Sequence, residues 1–122
     1  MIVCIPAMTS GGRNYVSLHF GKAPYFAFYE VSDTGFKQLS LERNPFATMG
    51  SGSSKGQAIA RYLVSKGVEA VIAYEVGPGA FQHLRDHGIR VFVVEKTLPI
   101  EEALKLFIEG ALTEAKEPVE RD

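Results

Sequence analysis

Apolar residues in the first half of the chain fall into short runs that are typical of β-strands. Residues 2–7, IVCIPA, lack polar alternation, which predicts a strand covered on both faces inside an α/β sheet. Residues 25–31 and 36–41 are separated by SDTG, a spacing that predicts an antiparallel hairpin closed by a short loop. Residues 9–14, TSGGRN, are turn formers, so we expect a loop there.

A longer turn-rich segment, residues 44–54, precedes the first helical pattern. Its small polar side chains leave little to bury, so we expect it to be exposed and mobile. Three apolar side chains then recur at helical spacing on one face: Ile59, Tyr62 and Leu63. Ser53 or Ser54 is expected to cap the start of this helix, and Gly67 to end it in a left-handed conformation.

Two further strands alternate with helices in the second half. Val68–Ala73 and residues 89–94 are apolar runs rich in β-branched residues, and both predict strands. Gly77 and Pro78 are expected to open the second helix and Gly88 to end it. This order of elements implies parallel crossovers in the second half and an antiparallel strand in the first, hence a mixed α/β sheet between helices.

The third helix, beginning near Pro99, has the clearest amphipathic pattern in the chain. Its apolar residues are spaced to share one face: Ile100, Ala103, Leu104, Phe107 and Ile108. Residues 113–122, TEAKEPVERD, are charged, interrupted by proline and short of apolar side chains, so we expect this tail to be disordered. The folded domain is therefore expected to span residues 1–112.

Composition narrows the function classes. A chain of 122 residues with 46% hydrophobic content is long enough for one packed core. Thirteen basic and 14 acidic residues give a net charge of -1, which offers no footprint for nucleic acid or anionic lipid. Cys4 is the only cysteine, so an intramolecular disulfide is excluded. The apolar start, MIVCIPAM, is far shorter than the roughly 20 residues that cross a bilayer, and we expect a soluble, cytoplasmic protein.

His19 is the first candidate for chemistry. A neutral imidazole beside the flexible Gly21 can reach a metal without moving a packed element. The alternative is that His19 bonds a backbone carbonyl while Phe20 and Phe26 fill the core. Two other histidines, His83 and His87, have the four-residue spacing of a helical metal pair, but a plain helix surface is the simpler interpretation.

Two glycine-containing helix starts are the second candidate for a functional site, in this case an anion-binding site. Residues 50–54, GSGSS, and residues 77–79, GPG, can present backbone N–H groups to an anion, although capping or a tight helix start explains each as well. The second lies just after a strand, at the sheet edge where ligands gather in open α/β folds. Cys4, inside an apolar strand with no cation beside it, is interpreted as buried filler.

Two motifs carry a resemblance to a known family. The first is HFG at residues 19–21, with AP at 23–24 and Phe26; the second is GVEAVIAYEVGPGAFQHLRDHGIRVF, which begins at Gly67. With Asn44, the glycine-rich loop and the helix near PIEEALKLFIEG, they resemble the dinitrogenase iron-molybdenum cofactor biosynthesis family, the NifX-like domain, over nearly the whole chain.

The resemblance implies a ribonuclease-H-like, three-layer α/β/α fold with a five-stranded mixed sheet that contains one antiparallel strand. It further implies a non-enzymatic carrier or accessory domain for an iron-sulfur or iron-molybdenum-type cofactor, with cofactor-assembly or acceptor proteins as partners. The histidine of the family motif falls on His19, the expected metal ligand. The residues expected around the cofactor are His19, Phe20, Gly21, Gly12, Arg13, Gly50, Gly52, Gly77 and Pro78.

Tyr74 and Glu75 stand where relatives often carry small residues, and their bulk and charge would narrow a pocket or disfavour an anionic cluster. Two alternatives to the carrier remain open. One is a regulatory module that binds a small anion or nucleotide at the two helix starts without metal. The other is a protein-interaction domain whose hairpin edge pairs with a partner or a second copy; a monomer or weak homo-oligomer is expected.

Overall fold

The computed structural model describes residues 1–50 and 52–121, so Ser51 of the glycine-rich loop and Asp122 of the tail lie outside the described residues. The described part contains seven strands and three helices. In chain order they are β1 (Ile2–Ser10), β2 (Arg13–Val16), β3 (Tyr25–Ser32), β4 (Gly35–Arg43), α1 (Ser53–Ser65), β5 (Val68–Ala73), α2 (Pro78–Asp86), β6 (Arg90–Val93), α3 (Ile100–Ile108) and β7 (Thr113–Glu114).

All seven described strands belong to one mixed sheet. Its order is β4-β3-β1-β5-β6-β7, with β2 paired to β1 beside this path. β1, β5 and β6 are parallel, whereas β2 and β3 run antiparallel to β1 and β7 runs antiparallel to β6. The prediction of five strands with one antiparallel strand was therefore wrong, because the short β2 and β7 were not anticipated.

The predicted loop at residues 9–14 is mostly a hairpin. β1 continues to Ser10 and pairs with Arg13 at the start of β2, which leaves only Gly11 and Gly12 in the turn. Their φ angles are 58° and 76°, and a two-residue turn with two positive φ angles matches the twist of the flanking strands. The sequence identifies the glycines as turn formers, but it does not reveal the strand on each side of them.

Helices cover both faces of the sheet. On one face, α1 and α2 contribute buried side chains that pack against the aromatic residues of β3: Ile59, Leu63, Phe81, Leu84, Phe26 and Phe28. On the other face, α3 packs on the same central strands through a second set: Ile100, Ala103, Leu104, Ile5 and Ile72. The layered arrangement predicted from the order of elements is thus present, with the apolar strands β1 and β5 buried between helices.

The helix ends follow the glycine and proline signals with one exception. Gly67 and Gly88 follow α1 and α2 with φ angles of 76° and 74°, and Pro78 is the first residue of α2, as predicted. The predicted serine cap of α1 was wrong, because Gly52 occupies the cap position and makes no side-chain bond. Ser53 instead places its hydroxyl 2.9 Å from Nε2 of His83, which links α1 to α2.

α1 and α2 cross at two glycines. A Cβ atom on Gly56 would lie 2.6 Å from the carbonyl carbon of Gly79, and one on Gly79 would lie 2.8 Å from the carbonyl carbon of Gly52. Real Cβ atoms do not approach backbone so closely, so the spacing of the two helices depends on both glycines. This close approach brings the first turns of α1 and α2 side by side.

Residues 113–121 of the C-terminal segment pack on the domain, which corrects the expectation of a disordered tail for this described part. β7 pairs with β6, and Val119 exchanges two backbone hydrogen bonds with Val76 at 2.9 and 3.0 Å. Val119 is also half-buried against the core. Because the segment's apolar residues are few and far apart, its sequence alone does not reveal these contacts.

Glu42 ties β4 to the end of α1. Its carboxylate accepts hydrogen bonds from Tyr62 at 2.8 Å and from Lys66 at 3.0 Å. The hydrogen bond from Lys66, followed by that from Tyr62, lowers the pKa of Glu42 below its ordinary value of 4.5. Burial, followed by the Glu42 carboxylate, raises the pKa of Tyr62.

The hydrogen bonds of the Glu42 carboxylate predict that the free energy of unfolding decreases at low pH. A carboxyl group whose pKa is lower in the folded state stabilises the fold above its unfolded pKa, and that stabilisation disappears as the pH falls toward the folded pKa. Glu42→Gln should therefore lower stability near neutral pH and flatten the decline below pH 4.5. Urea unfolding across this range measures the effect, with Glu117→Gln at an exposed position as control; parallel pH profiles for wild type and Glu42→Gln would contradict it.

Candidate functional site

A cavity of about 430 Å³ opens where β5 ends and α1 and α2 begin. Its walls come from the loop after β2, the first turns of α1 and α2, the segment after β5 and the C-terminal segment. The lining residues are His19, Phe20, Gly21, Lys22, Gly52, Lys55, Gly56, Ile59, Glu75, Gly77, Pro78, Gly79, Ala80 and Glu120. The cavity therefore lies at the carboxyl end of a parallel strand, the edge where ligands bind in open α/β sheets.

His19 lies at the mouth of the cavity. Its side chain is 62% exposed, and its Nδ1 atom lies 3.6 Å from Oε1 of Glu75. The backbone N–H of His19 donates to the Ser17 hydroxyl at 3.2 Å. The neighbouring Phe20 is buried and its ring lies 6.2 Å from that of Phe26. Phe20 thus anchors the loop in the core while the imidazole stays accessible.

Asn44 holds the loop that carries His19. Its amide nitrogen donates to the carbonyl oxygens of Gly21 at 3.0 Å and Ala23 at 2.9 Å, and its side-chain oxygen accepts from the Phe46 N–H at 2.8 Å. Asn44 is buried, and Phe46 packs against the core, so the prediction that residues 44–54 are exposed was wrong at this end. Asn44 is a positioning residue, a role that its place in the sequence motif does not by itself indicate.

Lys55 is a buried cation in the cavity wall. The residue is 5% exposed, and its ammonium group donates to the Met49 carbonyl oxygen at 3.3 Å. Burial, followed by the charge of Lys22, lowers the pKa of Lys55. The stem of Lys55 crosses Gly21, where a Cβ atom would lie 2.9 Å from Cε. A side chain at position 21 would therefore make the flexible end of Lys55 shift.

The electrostatic character of the cavity is mixed. The N-termini of α1 and α2 bring backbone N–H groups that have no partner within their own helices, together with the positive ends of the helix dipoles. Lys22 and Lys55 add positive charge, and the carboxylates of Glu75 and Glu120 oppose it. Such a site can bind an anion while keeping the affinity limited.

The structure brings together six of the nine predicted cofactor-binding residues. His19, Phe20, Gly21, Gly52, Gly77 and Pro78 line the cavity. Gly12 and Arg13 lie at the β1–β2 turn and Gly50 lies before α1; the described cavity wall does not include these three. Of the two residues expected to narrow the pocket, Glu75 lines the cavity, whereas the ring of Tyr74 lies 4.6 Å from the Arg121 guanidinium.

The cavity is lined by few side chains that could bind a metal ion. In residues 1–50 and 52–121, no group of three His, Cys, Asp or Glu side chains is placed to hold a metal ion. Cys4 is fully buried in β1, in agreement with its interpretation as filler. The ligands available at the cavity are thus the His19 imidazole and two carboxylates, and coordination by His19 stays a prediction. Within the same described residues, no helix combines the length and the apolar character that a bilayer span requires.

The match to a family of known sequences covers most of the chain. The sequence model of the family described as dinitrogenase iron-molybdenum cofactor matches residues 1–110. The chain belongs to this family. The match includes every lining residue of the cavity except Glu120, which lies in the C-terminal segment.

Two sequence relatives and one solved structure are similar to this member of the dinitrogenase iron-molybdenum cofactor family. An uncharacterized protein of Methanocaldococcus jannaschii is 31% identical over 100 residues, 82% of each chain. The FeMo cofactor biosynthesis protein NifB of Azotobacter vinelandii is 30% identical over 93% of this chain, which spans 25% of NifB. The apo orange protein of Desulfovibrio gigas has the same fold, with a TM-score of 0.81, 24% identity and coverage of 98% and 96%.

Proposed function

We propose that the protein is a non-catalytic carrier or accessory domain that transiently holds an iron-sulfur or iron-molybdenum-type cofactor, or a precursor of one, in the cavity beside His19. Membership in the dinitrogenase iron-molybdenum cofactor family supports this, as does the similarity to a segment of a FeMo cofactor biosynthesis protein. The observation that carries the proposal is the exposed imidazole at the mouth of a cavity walled by two helix N-termini.

The cavity suits an anionic cargo of metal and sulfide. Backbone N–H groups at the starts of α1 and α2 and the Lys55 ammonium group can hydrogen-bond to sulfide without coordinating metal. His19 can then supply one bond to the metal from outside. The cargo would be held by many weak contacts and a single ligand, in contrast to a closed set of thiolates.

Weak holding is what a carrier requires. Because the His19 side chain is 62% exposed, an acceptor protein can reach the metal that His19 would bind. The carboxylate of Glu75 close to the imidazole also opposes an anionic cargo and favours its release. The chain offers no nucleophile paired with a base among the described lining residues, so the proposal includes no chemical step on the cargo.

The test is an anaerobic titration with tetrathiomolybdate, a soluble molybdenum-sulfide dianion whose visible absorption reports binding. Because the molybdenum of this probe already carries four sulfides, His19 would contact it by donating a hydrogen bond to sulfide. His19→Ala should therefore weaken binding about tenfold, equivalent to about 1.4 kcal/mol, near the lower end for a hydrogen bond to a charged group. His87→Ala is the control, because His87 is exposed at the far end of α2, and it should change the affinity less than twofold. Absence of binding by the wild type, or equal binding by His19→Ala, counts against the carrier.

A second candidate is a regulatory module that binds a small anion or nucleotide without metal. The buried Lys55 and the adjacent starts of α1 and α2 favour it, since none of these needs a metal to bind phosphate. Thermal unfolding with phosphate and with nucleotides discriminates the two candidates. A rise in melting temperature with one of these ligands, together with no response to tetrathiomolybdate, would favour the regulatory module.

The partners that we propose are cofactor-assembly or acceptor proteins in the cytoplasm. β4 forms an edge of the described sheet, and Leu39 and Leu41 on this strand are 48% and 37% exposed. An open edge strand can pair with another chain. Pairing through this edge, with a partner or with a second copy, stays a prediction.

A further inference from the structure

The C-terminal segment crosses the carboxyl edge of the sheet. We call residues 115–121 the C-terminal strap. It starts where the Ala115 N–H donates to the Val91 carbonyl oxygen at 2.8 Å, and it then passes beside the end of β5, where Val119 and Val76 exchange two backbone hydrogen bonds. The strap lies beyond residue 110, where the match to the family ends.

Arg121 fastens the end of the strap. Its Nε donates to the Tyr74 carbonyl oxygen at 2.8 Å and its Nη2 to the Val94 carbonyl oxygen at 2.9 Å, so one guanidinium bridges the ends of β5 and β6. The backbone N–H of Arg121 donates to Oε2 of Glu75 at 3.1 Å. The strap thus also orients the carboxylate that faces His19.

Glu120 is an exposed residue of the strap whose side chain lines the cavity. Its backbone is held on both sides, because Val119 pairs with Val76 and Arg121 bonds to Tyr74. Its Oε1 atom lies 3.6 Å from the position that a Cβ atom of Gly77 would occupy. Gly77 is the N-cap of α2, so the carboxylate stands next to the positive end of this helix.

We propose that Glu120 sets the affinity and charge preference of the cavity by occupying the place of an anionic cargo in front of α2. The inference rests on the proposed function of the same cavity. A carboxylate at a helix N-terminus has favourable electrostatics of its own, and a second anion arriving there meets its repulsion. In this proposal the cargo displaces the strap with its glutamate, and an acceptor that presses the strap back favours release.

Glu120→Gln should tighten tetrathiomolybdate binding about fivefold, because it removes a negative charge next to the dianion while keeping the size of the side chain. The matched control is Glu117→Gln, which makes the same charge change at a strap residue outside the cavity lining. The control should change the affinity less than twofold. Equal tightening in both variants would mean that only net charge matters, and it would overturn the inference.

Arg121→Gln tests the strap itself. Loss of a positive charge near the cavity would by itself weaken the binding of an anion, so tighter binding by Arg121→Gln is the result expected from release of the strap. Hydrogen exchange of the Val119 N–H, which bonds to Val76, should accelerate in this variant and in wild type saturated with tetrathiomolybdate. Unchanged exchange in both cases contradicts displacement of the strap.

The outcomes separate the two proposals. If wild type binds tetrathiomolybdate and Glu120→Gln binds it with the same affinity, the role of Glu120 is wrong while the carrier function stands. If neither wild type nor any strap variant binds the probe, the carrier function fails, and the predicted gain in Glu120→Gln fails with it. Binding by Glu120→Gln but not by wild type would support the role of Glu120 while counting against the carrier function of the wild-type protein.

Discussion

Gly56→Ala is expected to lower the free energy of unfolding by about 3 kcal/mol, the upper end of the usual cost of overpacking. Alanine in the interior of a helix is normally better than glycine by about 1 kcal/mol, so the expected sign is the reverse of the intrinsic preference. The reason is the backbone of α2, since the new Cβ atom would lie 2.6 Å from the Gly79 carbonyl carbon and closer still to its oxygen. A carbonyl in a helix cannot rotate away as a flexible side chain does, so the two helices must separate.

Urea unfolding of Gly56→Ala and of Gly50→Ala measures this effect against a matched control. A Cβ atom added to Gly50 would meet nothing within 4 Å, and Gly50 has no positive φ, so Gly50→Ala should stay within about 0.5 kcal/mol of wild type. An unchanged or increased stability of Gly56→Ala would show that α1 and α2 do not cross as closely as described. Since both helix starts line the cavity, their separation should also weaken anion binding.

The elements that could be predicted from the sequence are those with local signals. Gly67 and Gly88 end helices and Pro78 begins one through backbone preferences that need no distant partner. β2 and β7 have only four and two residues, too few to show a period. Their existence depends on pairing with β1 and β6, and such pairing is decided by tertiary structure.

The candidate site likewise contains residues that could be predicted from the sequence and one important residue that could not. His19 and Gly21 were predicted through a motif, and Gly77 and Pro78 through their place after a strand, and the structure brings all four to one cavity. Lys55 was missed because a lysine in a serine- and glycine-rich helix start is usually solvated. Its burial depends on contact with a loop more than 30 residues earlier in the chain.

Lys55→Met should weaken tetrathiomolybdate binding about 30-fold, equivalent to about 2 kcal/mol, within the range for a hydrogen bond to a charged group. Lys55 is the buried cation of the described cavity wall, where little water screens its charge. Lys22 lines the same cavity but is exposed, so Lys22→Met should cost less. Lys37→Met, at an exposed position of β4, is the control for loss of net charge and should leave the affinity unchanged within twofold.

Lys55→Met should weaken binding but increase the stability of the ligand-free protein. Burial lowers the pKa of Lys55 in the folded protein, which means that its charged form is less favourable there than in the unfolded chain. The resulting destabilisation is present while the lysine is charged and disappears as the pH rises above its unfolded pKa. Methionine has a similar length and no charge, so Lys55→Met should raise the urea midpoint of the ligand-free protein at neutral pH. Weaker binding together with a lower midpoint would point to a damaged fold, whereas weaker binding together with a higher midpoint identifies Lys55 as a group retained for its ligand.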